Sequence, residues 1–178
     1  MSNFSPLHSL LELQKEANKF YGFTSSETLK IAQSLYEKHK LITYPRTESK
    51  HLPTEFARTI HTQLQAIATM EPYKEVAATI LQDQSKISSI VYNKKYVDDK
   101  KLTDHHAITV TDQKIGKKNL SDAERKIYHL IVKRLLAIFM PAYEIDKTSV
   151  VIKSGTELFK ANGQIVIEEG YTALYKKY

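Results

Sequence analysis

A mainly α-helical chain that ends in a β meander is what these 178 residues predict. Two capping boxes, Thr24 with Glu27 and Ser121 with Glu124, each precede an apolar pattern of helical period. After Pro141 the pattern changes. Residues 148–153 are rich in β-branched side chains, residues 157–161 and 164–168 alternate, and Gly155 and Gly163 mark turns. The change predicts a helical domain over residues 1–143 and strands over 144–178. About three strands rarely close a sheet alone, so these strands are expected to belong to a larger, incomplete sheet.

The elements follow in order. Leu7, Leu10, Leu11, Leu13, Ala17 and Phe20 recur at helical spacing, and Gly22 can end that helix in a left-handed conformation. Thr24 opens a second helix with Leu29, Ala32, Leu35 and Tyr36 on one face. Residues 41–45, LITYP, are too short for a helix and are closed by proline, so they read as extended. Pro53 suits the first position of a further helix with Ile60, Leu64 and Ile67 inward, and another is expected near 74–81. Residues 83–118 read as loop with one or two short ordered pieces. The clearest helix follows Ser121 and points Ile127, Leu130, Ile131, Leu135, Ile138 and Phe139 inward.

Composition narrows the function. Net charge is +6 and the pI about 9.3, which suits a polyanionic partner as well as a lysine-rich solvated surface. The absence of cysteine excludes disulfides, thiolate chemistry and cysteine zinc sites, and fits a reducing cytoplasm. No apolar run approaches a membrane span, and the first residues lack the pattern of a signal peptide.

The chemistry concentrates in two stretches. In residues 41–53, LITYPRTESKHLP, a phenol, a guanidinium, two hydroxyls and a carboxylate fall within six positions. The Arg46 fork can hold two phosphate oxygens at once. In an extended segment Tyr44 and Arg46, two residues apart, share a side, and Pro45 restricts the backbone between them. A phenol ionises near ~10, so attack at neutral pH requires a base or cationic neighbours. Most of the eleven tyrosines are expected to serve packing instead. In residues 103–111, TDHHAITVT, His105 can donate to a phosphate and an adjacent aspartate can orient a ring. A partly exposed histidine pair or two metal ligands are the alternatives, though no partner stands at zinc spacing. His8, His39, His51, His61 and His129 read as surface or packing residues. In YNKKYVDDKK, residues 92–101, the lysines could follow a phosphate backbone with Tyr92 or Tyr96 stacking on a base, or form an ordinary charged loop.

Residues 13–53, LQKEANKFYGFTSSETLKIAQSLYEKHKLITYPRTESKHLP, resemble the active-site region of the topoisomerase III subfamily of type IA DNA topoisomerases, which reads LQREAN, then a GF-S pattern, then LYE-hKLITYPRTDSR-LP. DHHAITVT is similar to the family's HHAI-PT motif, and Phe159, Ala161, Gly163, Gly170 and Tyr171 are similar to a pattern from its β-rich arch. The resemblance implies that the helical region is the central, tyrosine-bearing domain of the type IA fold. It places the nucleophile on Tyr44, the phosphate-binding arginine on Arg46 and the family histidine on His105. Thr47, Glu48, Ser49 and His106 become candidates for binding DNA or orienting the site. Glu48 stands where the family has aspartate, and Val110 where it has proline.

The implied reaction is ATP-independent cleavage and rejoining of one DNA strand through a 5′-phosphotyrosyl link, with strand passage that relaxes or decatenates DNA. The implied partner is single-stranded DNA, with a cooperating helicase left open and no membrane. Type IA enzymes hold Mg2+ on a D-x-D cluster in an N-terminal Toprim domain. This chain contains no D-x-D, so the resemblance places magnesium in a missing Toprim domain, with no metal site in these residues, and the fragment alone is expected to be inactive. A non-catalytic single-stranded nucleic-acid-binding module is the rival reading. A rolling-circle relaxase fits less well, because its paired histidines are separated by one hydrophobic residue and these are adjacent.

Overall fold

A computed structural model describes residues 7–176, which form two compact units divided between Phe139 and Met140.

The helical unit begins with α1, Leu10–Tyr21, capped by the Ser9 hydroxyl and closed by Gly22 at φ 70°. Leu7–Ser9 precede the helix because His8 pairs its backbone with Ile108. Leu13 and Ala17 are buried, whereas Leu11 and Phe20 are exposed, so the inner face of α1 is narrower than the apolar pattern predicts. Helix α2, Ser25–Glu37, carries the complete Thr24–Glu27 capping box. The stretch after Pro53 is two helices, α3 at Thr54–Arg58 and α4 at Ile60–Ile67, interrupted at Thr59. Pro53 is the cap residue of α3, and Thr54 takes the first helical position, where its N–H donates to Asp99 at 2.9 Å. Helices α5, Lys74–Gln82, and α6, Gln84–Ser89, follow, then short 3-10 turns at Ile90–Tyr92 and Asp99–Lys101. The region expected to be mostly loop is thus more ordered at its start, because Asp83 caps α6 by accepting from the Lys86 N–H.

Helix α7, Asp122–Ala137, packs against α1 and α2. All six side chains predicted to face inward are buried, and so are Val132, Lys133, Arg134 and Leu136 on other sides. Glu124 ties the start of α7 to α2: beyond its capping role it accepts from the Ser34 hydroxyl at 2.7 Å and meets His39 at 3.2 Å. Burial alone would raise its pKa, but the bonds from Ser34 and Ser121 and the charge of His39 hold it down to about 2.

Charge is also buried deeper in the unit. Glu16 of α1 bonds both the His8 ring and the Arg134 guanidinium of α7. His8 and His39 are therefore hydrogen-bond partners of buried carboxylates, a role their sequence context did not disclose. His129 bonds the buried Tyr73 hydroxyl at 2.8 Å.

The second unit is a two-stranded antiparallel hairpin, β1 at Glu144–Ser154 and β2 at Glu157–Glu168, followed by a 3-10 turn at Gly170–Thr172 and α8 at Ala173–Lys176. The expected three-strand meander is corrected here. Gly163 makes no turn; it pairs with Thr148 inside a continuous strand, because a glycine can lie in extended backbone as readily as in a turn. The real turn is at Gly155, φ 61°. Gly170 is required at the hairpin base: at φ 46° a Cβ would lie 2.2 Å from the Pro141 carbonyl oxygen.

Candidate active site

The segment carrying Tyr44 has no regular sheet around it, yet backbone bonds from distant parts of the chain fix it. The Thr43 N–H donates to the Thr109 carbonyl at 2.9 Å and the Thr111 N–H to the Leu41 carbonyl at 3.0 Å. The Leu10 N–H donates to the Thr47 carbonyl at 2.9 Å, and the Ala107 N–H to the His51 carbonyl at 2.9 Å. Further along, the Leu52 N–H reaches the Tyr96 carbonyl at 2.8 Å. The TYPR and HHAI stretches, sixty residues apart, thus run side by side.

Side chains alternate along this extended run. Pro45, Thr47 and Ser49 are buried, Arg46 and Glu48 are exposed, and Lys50 is half-buried. Arg46, Glu48 and Lys50 line an open cleft of about 510 Å³ whose other wall includes Leu11 and Gln14 of α1. The exposed Leu11 is explained by this position.

Tyr44 is half-buried. Its ring packs on His105 with centroids 4.3 Å apart, and meets the Tyr36 ring edge-on at 5.4 Å. The Lys40 ammonium lies 5.6 Å from the Tyr36 centroid. Arg46 is held from α2: with the Gln33 amide turned to suit its neighbours, its oxygen accepts from Arg46 Nη2 at 3.1 Å and Nε at 3.2 Å. Gln33 and Tyr36 stand three residues apart, on one face of α2. One helix face therefore orients both the phenol and the guanidinium.

The two adjacent histidines divide. His105 is exposed and packs against Tyr44 with the two rings tilted by 44°. His106 is half-buried, donates from Nδ1 to the Ala107 carbonyl at 2.8 Å and packs on Phe56 of α3 at 5.1 Å. Burial lowers its pKa, and the neutral ring is favoured. The carbonyl of His105 accepts from the hydroxyls of both Thr47 and Thr103 at 3.2 Å. Thr47 therefore supports the His105 backbone from beneath. Ser49 bonds locally, accepting from the His51 N–H at 3.2 Å. Glu48 is the only carboxylate among the residues lining the cleft.

Gln33, Tyr36, Thr43 and Thr103 join the site without having been singled out. The helical period placed Tyr36 on the inner face of α2. Thr43 bridges the two segments, donating to the Ala107 carbonyl at 3.2 Å and accepting from the Thr109 N–H at 3.0 Å. Among the described residues, no three His, Cys, Asp or Glu side chains come together in a group fit for a metal ion.

A family model described as DNA topoisomerase matches residues 2–178. DNA topoisomerase 3 of Bacillus subtilis is 42% identical over 174 residues, covering 97% of this chain and 23% of that protein. DNA topoisomerase 3 of Bacillus thuringiensis strain Al Hakam is 41% identical over 175 residues, covering 98% and 23%. The chain thus spans about a quarter of the length of these curated relatives. The full-length topoisomerase I structure from Thermotoga maritima superposes with a TM-score of 0.60 at 28% identity, covering 98% of this chain and 28% of that one. The chain belongs to the type IA DNA topoisomerase family, with its curated relatives on the topoisomerase 3 branch.

Proposed function

We propose that Tyr44 is the nucleophile of a DNA strand-cleavage reaction, with Arg46 and His105 stabilising charge on the phosphate it attacks. The observation that carries the reading is the Tyr44–His105 ring contact beside an exposed Arg46, in a segment pinned by long-range backbone bonds. The Tyr44 oxygen bonds to phosphorus and the bond to the 3′ oxygen breaks. The 3′ oxygen leaves with a proton as a free hydroxyl, and a 5′-phosphotyrosyl link remains. The link conserves the bond energy, so the 3′ hydroxyl can reverse the attack without ATP after another strand has passed. Donors placed where oxyanion charge grows are worth most in such a step. Thr47 acts through the His105 backbone, and Glu48 and Lys50 line the path of the strand beside Arg46.

The substrate is single-stranded DNA. Relaxation or decatenation belongs to the larger protein, with Mg2+ held on a Toprim domain outside these residues. The 178 residues alone are expected to give no relaxation of supercoiled plasmid. Grafted in place of the matching quarter of the B. subtilis topoisomerase 3, they are expected to support ATP-independent relaxation. A plasmid assay on both proteins tests this, and relaxation by the 178 residues alone would contradict the division of labour.

A further inference from the structure

We infer that a second cleft, lying against α3 and sharing no lining residue with the Arg46 cleft, is an additional contact for single-stranded nucleic acid. It has a volume of about 480 Å³ between α3, α6 and the turn after α6. Arg58, His61 and Lys94 line it, with Ile87 and Ser88 on the α6 side and Tyr92 at its edge. None of the residues lining it is acidic. Among the described residues, neither Arg58 nor Lys94 is within ion-pair distance of a carboxylate. The neighbouring carboxylate, Asp99, is engaged by the Thr54 N–H and hydroxyl, and Lys94 acts on it only at longer range.

Tyr92 is 82% exposed, whereas Tyr96, the other tyrosine of the same basic stretch, is 8% exposed. An exposed ring offers a flat face on which a base can stack, whatever its sequence. Cations on the cleft wall with one exposed aromatic at its edge match the pairing of phosphates with a stacked base. An acidic peptide would use the cations but leave Tyr92 without a purpose. Helix α3 connects the two places: Phe56 packs on His106, the neighbour of His105, while Arg58 and Ala57 line this cleft.

The ligand class rests on the proposed function; the location does not. The test uses the whole 178-residue chain and a fluorescein-labelled oligo(dT) of about 15 nucleotides, read by anisotropy at low salt. Tyr92→Ala is expected to weaken binding ~5- to 20-fold, Tyr92→Phe to leave it unchanged, and Lys94→Ala to reduce the salt slope by about one. Because Tyr92 is exposed, its loss leaves the core intact, which circular dichroism verifies. Unchanged affinity in Tyr92→Ala overturns the inference. So does no binding by the wild-type chain, or competition by a polyglutamate peptide as effective as unlabelled oligo(dT). Covalent chemistry is read separately, at Tyr44. A lost Tyr92 effect with an intact Tyr44 adduct removes this cleft alone, and the converse removes the nucleophile alone.

Discussion

Replacing Tyr44 with Phe is expected to abolish strand cleavage, by at least ~10³-fold, in the graft of this chain into B. subtilis topoisomerase 3. The substitution removes one oxygen and keeps the ring that packs on His105 and Tyr36. Binding of single-stranded DNA is expected to persist, because Arg46 and Lys50 still line the cleft. The combination matters: cleavage lost with binding kept separates a nucleophile from a residue that merely shapes a binding module. Cleavage on a single-stranded oligonucleotide, with affinity measured in parallel, checks both. If Tyr44→Phe cleaves at the wild-type rate, the nucleophile lies elsewhere.

The second large effect concerns stability. Glu16→Ala removes the carboxylate shared by His8 and Arg134, and so deletes a buried ion pair between α1 and α7. Breaking a buried pair by deleting one partner costs roughly 3–5 kcal/mol. That is a large part of the stability of an ordinary domain. The pH dependence has a defined sign. Burial alone would raise the Glu16 pKa, but His8 and Arg134 hold it down to about 2, below the usual 4.5. A depressed carboxylate contributes stability that is complete above pH 4.5 and lost as pH falls toward 2, worth roughly 3 kcal/mol. His8 acts in the same direction. Its burial lowers its pKa below 6.5, so the unfolded chain takes up that proton first as pH falls. Urea midpoints at pH 7 and pH 3 are expected to differ for the wild type. At pH 7 the variant is expected to be much weaker, with less left to lose on acidification. An equal fall from pH 7 to pH 3 in both proteins would refute the role given to Glu16. The effect reaches the candidate site, because the His8 carbonyl accepts from the Ile108 N–H at 2.8 Å, in the segment that carries His105.

Much of this was legible in the residues. Helices with local signals are the most legible: both capping boxes form, and Gly22 closes α1 in the left-handed region. Local chemistry decides such features, so the sequence displays them. The role of Gly163 is not legible, because turn and extended strand are both open to a glycine and only pairing with Thr148 chooses between them. The helix break at Thr59 carries neither glycine nor proline, so nothing local announced it. At the candidate site, the TYPR and HHAI stretches could be named, but their meeting could not be derived from spacing. Their contact depends on backbone bonds across some sixty residues, such as Thr43 to Thr109. Gln33 was invisible for the same reason, since a glutamine on a helix carries no sign of the arginine it will hold. Glu16, placed among the apolar positions of α1, was the available hint that a charge lay buried, and its partners became apparent only with α7 packed alongside.

The most direct measurement is to locate the covalent bond itself. The grafted enzyme is incubated with a single-stranded oligonucleotide labelled at its 3′ end, quenched in denaturant and digested with protease, and the labelled peptide is sequenced by mass spectrometry. The predicted result is a single adduct on the tyrosine of the LITYPR peptide, with the 3′ label retained on the protein. A labelled adduct on any other residue, or a label retained only when it is placed at the 5′ end, would contradict the account.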